Sequence, residues 1–149
     1  GRQMLAFSIQ DGVGLRLWHR TGRRVGMLSG RDVPAVRARA EQLNMDFTVF
    51  GRNDKLQAYN ELLSTHGLTA DQVAYVGDDL LDLPVMARCV WPIAVANALE
   101  VVKAAARYVT TRSGGNGAVA EAVQYLLSTA GEWHDCVAAY TAGEAGKEH

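Results

Sequence analysis

The stretch "VAYVGDDLLDLP" (73–84) places an apolar run directly before three carboxylates, those of Asp78, Asp79 and Asp82. The apolar run predicts a buried strand at 73–77, and the carboxylates crowd the loop that follows it. Because like charges this close repel and a buried unpaired charge is costly, we expect a positively charged group nearby. A strand that ends in such a loop before a short helix is the basic unit of an α/β domain.

The rest of the chain repeats this unit, since short apolar runs alternate with segments of helical period. Asp32 is a candidate N-cap with Pro34 in the first turn, and Gly22 and Gly67 are candidate helix ends. The alternation predicts an α/β, Rossmann-like three-layer fold with a mainly parallel sheet and helices on both faces. The predicted strands are 4–9, 24–28, 47–50, 73–77, 91–95 and 108–111, and the predicted helices are 11–22, 33–43, 55–67, 83–88, 98–107 and 117–130.

The composition of the 149 residues suits one domain, which we place at 1–130, followed by a polar tail at 131–149 that is mobile or docked on another subunit. A formal net charge of -1 argues against nucleic acid or a membrane surface as a partner. No apolar run approaches the length of a membrane span. Two cysteines, Cys89 and Cys136, are too few for a disulfide framework, so we expect a reduced, cytoplasmic protein.

Loops at the carboxyl ends of parallel strands meet at one edge of the sheet, where ligands bind in folds of this kind. One such loop is Ser29-Gly30-Arg31, which combines a hydroxyl with backbone amides at the start of a predicted helix. This combination favours anion binding, although an ordinary Ser/Gly turn explains it as well.

Lys55 opens a predicted helix, where its positive charge opposes the helix dipole. A bound anion between the lysine and the helix amides would relieve that conflict. The alternative is a solvated lysine whose stem covers apolar surface.

The acidic loop favours a hard cation, because clustered carboxylate oxygens suit Mg²⁺. The alternative is that Asp79 or Asp82 caps the short helix that begins near Leu83, which explains one aspartate better than three. The glycine-rich "SGGNGA" (113–118) allows close backbone approach at the same edge. Together, hydroxyl, lysine and carboxylates form a set that suits phosphoryl transfer.

The order of these motifs resembles the haloacid dehalogenase-type phosphatases, with "LSGR" (28–31) as the hydroxyl motif, Lys55 as the lysine motif and "GDDLLD" (77–82) as the acidic motif. Longer stretches are similar to the 3-deoxy-D-manno-octulosonate 8-phosphate phosphatases and to relatives that act on nine-carbon keto-sugar acid phosphates. These stretches are "FSIQDGVGLRL", "VGMLSGRDVPAVRARAEQL", "NDKLQAYNELL", "VAYVGDDLLDLPVM" and "YVTTRSGGNGAVAEAV".

The resemblance implies a capless, Mg²⁺-dependent phosphatase that forms a homotetramer. It also implies roles for individual residues. Asp78 would ligate Mg²⁺ with Asp79 nearby, and Asp82 would support the loop. Lys55 and Asp78 would serve catalysis. Asn116 stands where the family often has arginine, and Arg112 is a candidate substitute. The remaining implied roles are phosphate binding by Ser29, Gly30 and Lys55, and a place near the substrate mouth for Asp11, Gly12 and Arg31.

One family motif is absent, because the 149 residues contain no Asp-x-Asp pair to supply the nucleophile. "GRQMLAFSI" (1–9) resembles the return strand of the hairpin that follows that motif in the family. We therefore expect the first strand and its nucleophile to lie outside this sequence. A fragment or incomplete record, a misassigned start and a degenerate homologue are the three explanations.

The leading hypothesis is thus an Mg²⁺-dependent phosphomonoester hydrolase acting on a small keto-sugar-acid phosphate through an aspartyl-phosphate. The alternative is a catalytically inactive module of the same fold that serves oligomerisation or regulation, like domains fused to nine-carbon sugar-acid cytidylyltransferases. A phosphoacceptor receiver domain is less consistent, because receivers carry their acidic pair after the first strand and their lysine late.

Overall fold

Strands and helices alternate along the chain in the predicted order. The computed structural model describes the backbone of residues 9–144 and the side chains of residues 13–143. The strands are β1 Gly26–Leu28, β2 Phe47–Val49, β3 Ala74–Gly77, β4 Trp91–Ala94 and β5 Tyr108–Val109. The helices are α1 Ile9–Arg20, α2 Pro34–Gln42, α3 Lys55–His66, α4 Leu83–Met86, α5 Glu100–Ala104, α6 Ala118–Thr129 and α7 Trp133–Ala139, with single 3-10 turns at Ala70–Gln72 and Leu80–Asp82 and a π-helical turn at Tyr140–Glu144.

All strand pairs among the described residues are parallel, which confirms the predicted α/β fold class. The pairing differs from a single continuous sheet, because the strands form two separate ladders. One ladder has the order β1-β2, and the other has the order β3-β4-β5. Within the described residues, β1 and β3 are therefore each hydrogen-bonded to a strand on one side only.

Most helix boundaries agree with the predicted ones. Helix α3 ends at Gly67, which has a left-handed backbone (φ 65°) and donates its N–H to the carbonyl of Leu63. Pro34 begins α2 as predicted, but Asp32 as its N-cap was wrong, because Val33 occupies that position. The carboxylate of Asp32 instead pairs with Arg37, whose Nη2 lies 2.9 Å from Oδ2.

Three predicted segments differ in extent. Helix α5 covers half of 98–107, since the N–H of Arg107 already bonds to the carbonyl of Pro92 at 2.8 Å and leads into β5. The short helix predicted at 83–88 ends at Met86 and is preceded by a 3-10 turn. The strand predicted at 4–9 lies outside the described residues except for Ile9, which belongs to α1.

Apolar side chains cluster between the helices and the strands in three groups. The first joins α4, α5 and the start of α6 to β3 and β4. The second joins α3 and α4 to the ends of β1 and β3. The third joins α1 to α6 and α7. The first two groups hold the carboxyl ends of β1, β3 and β4 in fixed positions, where loops 29–31, 78–82 and 95–99 follow them.

The segment expected to be a polar tail contains α7, which packs on its own chain within the described residues. Trp133 and Cys136 contact the cluster formed by Leu15, Val123 and Leu127. Both terminal guanidinium nitrogens of Arg23 donate to the carboxylate of Glu132, at 2.9 and 2.7 Å. Over residues 133–144 the chain is therefore helical, and α7 is attached to α1 and α6. No helix in the described part of the chain combines the length and the apolarity needed to traverse a bilayer.

Candidate active site

An open cleft of about 210 Å³ lies at the carboxyl ends of β1, β3 and β4, the edge at which the sequence predicts a ligand. Leu28 ends β1, Gly77 ends β3 and Val95 follows β4, so three strands contribute to its walls. The complete lining is Leu28, Lys55, Tyr75, Val76, Gly77, Asp78, Asp82, Val95 and Gly114.

The carboxylate of Asp82, 2 % exposed, organises the floor of this cleft. Its Oδ1 accepts from the Tyr75 hydroxyl at 2.6 Å and from Lys55 Nζ at 2.8 Å. Its Oδ2 accepts from the backbone N–H groups of Asp78 and Asp79, at 2.9 and 3.1 Å. Burial by itself raises the pKa of Asp82, but these four donors outweigh burial and the net pKa is lowered. Asp82 is therefore a charged residue with a structural role, since each of its carboxylate oxygens already accepts two hydrogen bonds.

Lys55 is the positive group that the acidic stretch requires. Its side chain is 11 % exposed and forms a buried ion pair with Asp82. The negative charge of Asp82 also offsets the unfavourable position of Lys55 at the positive end of the helix dipole. The compensating group is therefore a carboxylate of the chain itself. The alternative of a solvated lysine was wrong, because the Lys55 ammonium lies at the wall of the cleft, paired with Asp82 and largely removed from water.

Asp78 lines the cleft next to this pair and lacks a comparable set of donors among the bonds described above. Asp78 is an exposed residue at the mouth of the loop, but partial desolvation of its carboxyl group, and then the neighbouring carboxylates of Asp82 and Asp79, raise the pKa of Asp78, while Lys55 opposes the increase. A carboxylate held in this environment is stabilised by a cation. Oxygen atoms of Asp78, Asp79 and Asp82 lie within 4.8 Å of one another, a spacing that fits a hard divalent cation.

Asp79 has the capping role that the sequence left open. Its Oδ1 accepts the N–H of Leu81 at 2.9 Å and so begins the 3-10 turn Leu80–Asp82. The helix that begins at Leu83 therefore has no side-chain cap of the kind that the alternative predicted: Asp79 caps the 3-10 turn before it, and Asp82, at the N-cap position of α4, binds Lys55 instead. Of the three carboxylates, Asp78 has the oxygens best placed to ligate an ion from the cleft, with Asp79 beside it.

The hydroxyl motif is attached to the segment that leads into Lys55. The carbonyl of Ser29 accepts the N–H of Arg52, and that of Arg31 accepts the N–H of Gly51, both at 3.3 Å. The Oγ of Ser29 accepts the N–H of Arg31 at 3.1 Å, which leaves the hydroxyl proton for another acceptor. A Cβ at Gly30 would lie 2.6 Å from the side-chain oxygen of the exposed Asn53, so a larger residue at position 30 would displace that side chain.

The glycine loop reaches the cleft through Gly114, whose N–H donates to Asn97 Oδ1 at 2.9 Å. The base of the loop is attached to Glu121, which accepts from the N–H groups of Thr111 and Arg112 and from the hydroxyls of Thr111 and Tyr108. Burial by itself raises the pKa of Glu121, but these donors lower it overall.

The structure thus brings Lys55, Asp78 and Asp82 together in the cleft. The Ser29 loop is hydrogen-bonded to residues 51 and 52, which lead into the helix that begins with Lys55. Arg31 is exposed in this loop. Asp11 and Gly12 belong to the first turn of α1, and the side-chain description begins after them, at residue 13.

Sequence reasoning missed Tyr75, Asn97 and Glu121. Alternation along β3 could have placed Tyr75 on the side of the strand opposite Val76, but neither Asn97 nor Glu121 carries a local signal.

The profile of the family described as haloacid dehalogenase-like hydrolase matches residues 39–123, which include the lysine and acidic motifs. The chain is 40 % identical over 127 residues to the 3-deoxy-D-manno-octulosonate 8-phosphate phosphatase KdsC of Yersinia pestis, covering 85 % of this chain and 68 % of the relative. The chain belongs to the haloacid dehalogenase-like hydrolases. Within that family it groups with the KdsC phosphatases, and the protein is a phosphatase of the haloacid dehalogenase type.

Solved structures of this family share the fold. The 3-deoxy-D-manno-octulosonate 8-phosphate phosphatase of Moraxella catarrhalis, in complex with magnesium, phosphate and KDO, superposes with a TM-score of 0.88 at 34 % identity over 94 % of this chain and 80 % of its own. The cobalt-bound enzyme of Haemophilus influenzae superposes with a TM-score of 0.84 at 36 % identity, covering 89 % of this chain and 78 % of its own. These similarities confirm the predicted family.

Proposed function

We propose that the protein is an Mg²⁺-dependent phosphomonoester hydrolase whose substrate is a keto-sugar-acid phosphate such as 3-deoxy-D-manno-octulosonate 8-phosphate. The observation that carries the proposal is the cleft in which Lys55, tied to Asp82, stands beside Asp78. The Lys55 ammonium provides one fixed positive charge, and a metal ion bound by Asp78 would provide a second. Two positive charges in this cleft would stabilise the negative charge of a phosphoryl group. The named substrate and metal of the similar enzymes support the same conclusion.

The metal fits the residues that are present. Asp78 would hold Mg²⁺ from the cleft side and Asp79 would stand beside it, while Asp82 keeps the loop in shape. Mg²⁺ usually takes one or two protein carboxylates and keeps several waters, which suits a site with one well-placed carboxylate. When bound, the ion neutralises phosphate charge and orients the group for attack.

The chain's own residues would bind and orient the phosphoryl group. Lys55 would contact one phosphate oxygen while Asp82 fixes the direction of its side chain. The Ser29 hydroxyl would donate its free proton to another oxygen, and the adjoining Gly30 keeps the backbone close. Arg31, Asp11 and Gly12 remain candidates for contact with the sugar.

The attacking aspartate would come from outside these 149 residues, because no Asp-x-Asp pair occurs in them. The free edges of β1 and β3 support this placement, since both strands end at the cleft and pair on one side only among the described residues. An extended segment between them would join the two ladders and bring a nucleophile to the phosphoryl group. Water would then hydrolyse the resulting aspartyl-phosphate.

Phosphate release by the product of the complete gene tests this proposal. We expect hydrolysis of 3-deoxy-D-manno-octulosonate 8-phosphate with Mg²⁺, loss of activity with EDTA, and recovery on adding Mg²⁺. Lys55→Met should abolish turnover, whereas Lys103→Met, which removes an exposed-face lysine paired with Glu100, should not. Absence of turnover of any keto-sugar-acid phosphate by the wild-type product would favour the inactive-module alternative.

Assembly and location remain part of the proposal. The family resemblance supports a homotetramer in the cytoplasm. Sedimentation of the purified gene product at several concentrations tests the tetramer, and a monomer at all concentrations would contradict it.

A further inference from the structure

The glycine loop, residues 113–117, is held at two places by different groups. Its base is fixed by Glu121, which binds the N–H groups of Thr111 and Arg112, each at 3.0 Å to Oε1. The buried hydroxyl of Thr110 adds a bond to the carbonyl of Arg112 at 2.6 Å. Gly114, the residue of the loop that lines the cleft, is bound by Asn97 instead.

Asn97 lies in a segment that is attached to the acidic loop on both sides of it. Before it, the N–H of Val95 donates to the carbonyl of Gly77, and after it the N–H of Leu99 donates to the carbonyl of Asp78, both at 3.3 Å. The position of Asn97 is therefore determined by the same backbone that positions Asp78.

Packing reinforces this arrangement. A Cβ built at Gly114 would lie 3.6 Å from Asn97 Oδ1 and 3.7 Å from a methyl group of Val95, which are ordinary contact distances. The loop backbone thus rests directly on the segment 95–97. At the base of the loop the N–H of Ala96 donates to the carbonyl of Arg112 at 3.3 Å and to Thr110 Oγ at 3.1 Å. At Gly114 itself, the described polar contact with this segment is the hydrogen bond to Asn97 Oδ1.

We infer that Asn97 is a positioning residue for the phosphatase reaction: its amide oxygen holds Gly114 against the cleft and keeps the glycine loop in register with Asp78. This inference rests on the proposed function. Ser29 and Lys55 are the groups proposed to hold the phosphoryl oxygens. The loop would therefore act on the rest of the substrate, and its displacement should weaken substrate binding more than it slows the chemical step.

Hydrogen exchange of backbone amides in the complete gene product tests the contact. In Asn97→Ala we expect the Gly114 amide to exchange about 10-fold faster, as the loss of one hydrogen bond predicts. The amides of Thr111 and Arg112, which Glu121 holds, should be unchanged. Asn97→Asp keeps an acceptor oxygen and should restore slow exchange at Gly114, whereas equal exchange in all three proteins would overturn the contact.

Steady-state kinetics with 3-deoxy-D-manno-octulosonate 8-phosphate tests the role. Asn97→Ala should raise KM about 10-fold while kcat changes less than about 2-fold, the signature of lost uniform binding. Asn97→Asp should recover part of the loss, and Asn60→Ala, on the exposed side of α3, should behave as wild type. If Asn97→Ala folds poorly, Asn97→Ser provides the same comparison with a smaller change.

The possible outcomes distinguish a failure of the proposed function from a failure of the positioning role of Asn97. A wild-type product that hydrolyses no keto-sugar-acid phosphate would overturn the proposed function and, with it, the role of Asn97 in the reaction. An active wild type whose KM is unaffected by Asn97→Ala would overturn the positioning role alone. An equal loss of kcat and melting temperature in Asn97→Ala and Asn97→Asp would mean a purely structural role and would also overturn it.

Discussion

The ammonium of Lys55 lies 2.8 Å from Oδ1 of Asp82, although 27 residues of sequence separate the two. Both side chains are removed from water, with 11 % and 3 % of their surface exposed. The pair links the start of α3 to the loop after β3, and this link brings the proposed phosphate-binding lysine to the carboxylate cluster.

Asp82→Asn should be strongly destabilising, because it leaves the Lys55 ammonium buried without its counter-charge. Breaking a buried pair in this way costs about 3–5 kcal/mol in the free energy of unfolding. Urea denaturation of the gene product measures this cost. The matched control is Glu100→Gln, which breaks the exposed pair of Glu100 with Lys103 and should cost less than about 1 kcal/mol. Similar losses in both variants would contradict the buried character of the Lys55–Asp82 pair.

Gly77→Ala should destabilise the acidic loop by a steric effect. The added Cβ would lie 2.8 Å from both Asp82 Cβ and Met86 Sδ, closer than atoms pack without displacement. Overpacking of this kind costs about 1–3 kcal/mol, measured as a shift of the urea midpoint at constant slope. Gly143→Ala is the control, since no atom lies within 4 Å of the Cβ it would add. An unchanged midpoint for Gly77→Ala would contradict the close contact.

Glu121 should make a pH-dependent contribution to stability. Burial raises its pKa, but the donors Tyr108, Thr111 and Arg112 outweigh burial and the folded-state pKa is lowered. A depressed carboxyl pKa contributes stability that is present above the unfolded value, about 4.3, and is lost as the pH falls through the folded value. The difference in unfolding free energy between wild type and Glu121→Gln should therefore be largest near neutral pH and shrink in acid.

Tyr108→Phe removes one of the donors to Glu121, because the Tyr108 hydroxyl donates to Oε2 at 2.6 Å. The same hydrogen bond helps raise the pKa of Tyr108 to about 12. We expect the variant to reduce the acid-dependent part of the stability without abolishing it. Unfolding curves collected from pH 7 to pH 3 measure both effects. A constant difference between wild type and Glu121→Gln at every pH would show that the carboxylate contributes nothing through its charge.

Asp78→Asn should abolish stabilisation by Mg²⁺ while leaving the metal-free protein as stable as wild type or more so. In the absence of a cation, the charge of Asp78 is opposed by its burial and by Asp82 and Asp79, so its removal relieves repulsion. In the wild type, Mg²⁺ at 100 times its Kd should add about 2.7 kcal/mol. Thermal melts with and without Mg²⁺ measure both effects, with Asp135→Asn, a change at an exposed residue of α7, as the control. A variant that Mg²⁺ still stabilises fully would place the metal elsewhere.

The α/β alternation, the parallel strands and the edge that carries the cleft were predictable because they depend on local periodicity and on the handedness of strand connections. Helix ends at glycine were predictable for the same local reason, as at Gly67. The N-cap of α2 was not predicted correctly, because the carboxylate of Asp32 pairs with the guanidinium of Arg37 in that helix, and Val33 occupies the N-cap position.

By itself, the sequence determined which chemical groups stand at the carboxyl ends of the strands, since motif order and residue type are local properties. Only the tertiary structure decided how the three aspartates divide their roles: Asp79 caps a turn, Asp82 accepts from Lys55 and Tyr75, and Asp78 faces the cleft. The physical reason is that each role depends on which donor reaches the carboxylate. The two side-chain donors that decide the role of Asp82, Lys55 and Tyr75, come from α3 and β3. The packing of α3 and β3 around a shared apolar cluster has no signature in the spacing of the acidic residues.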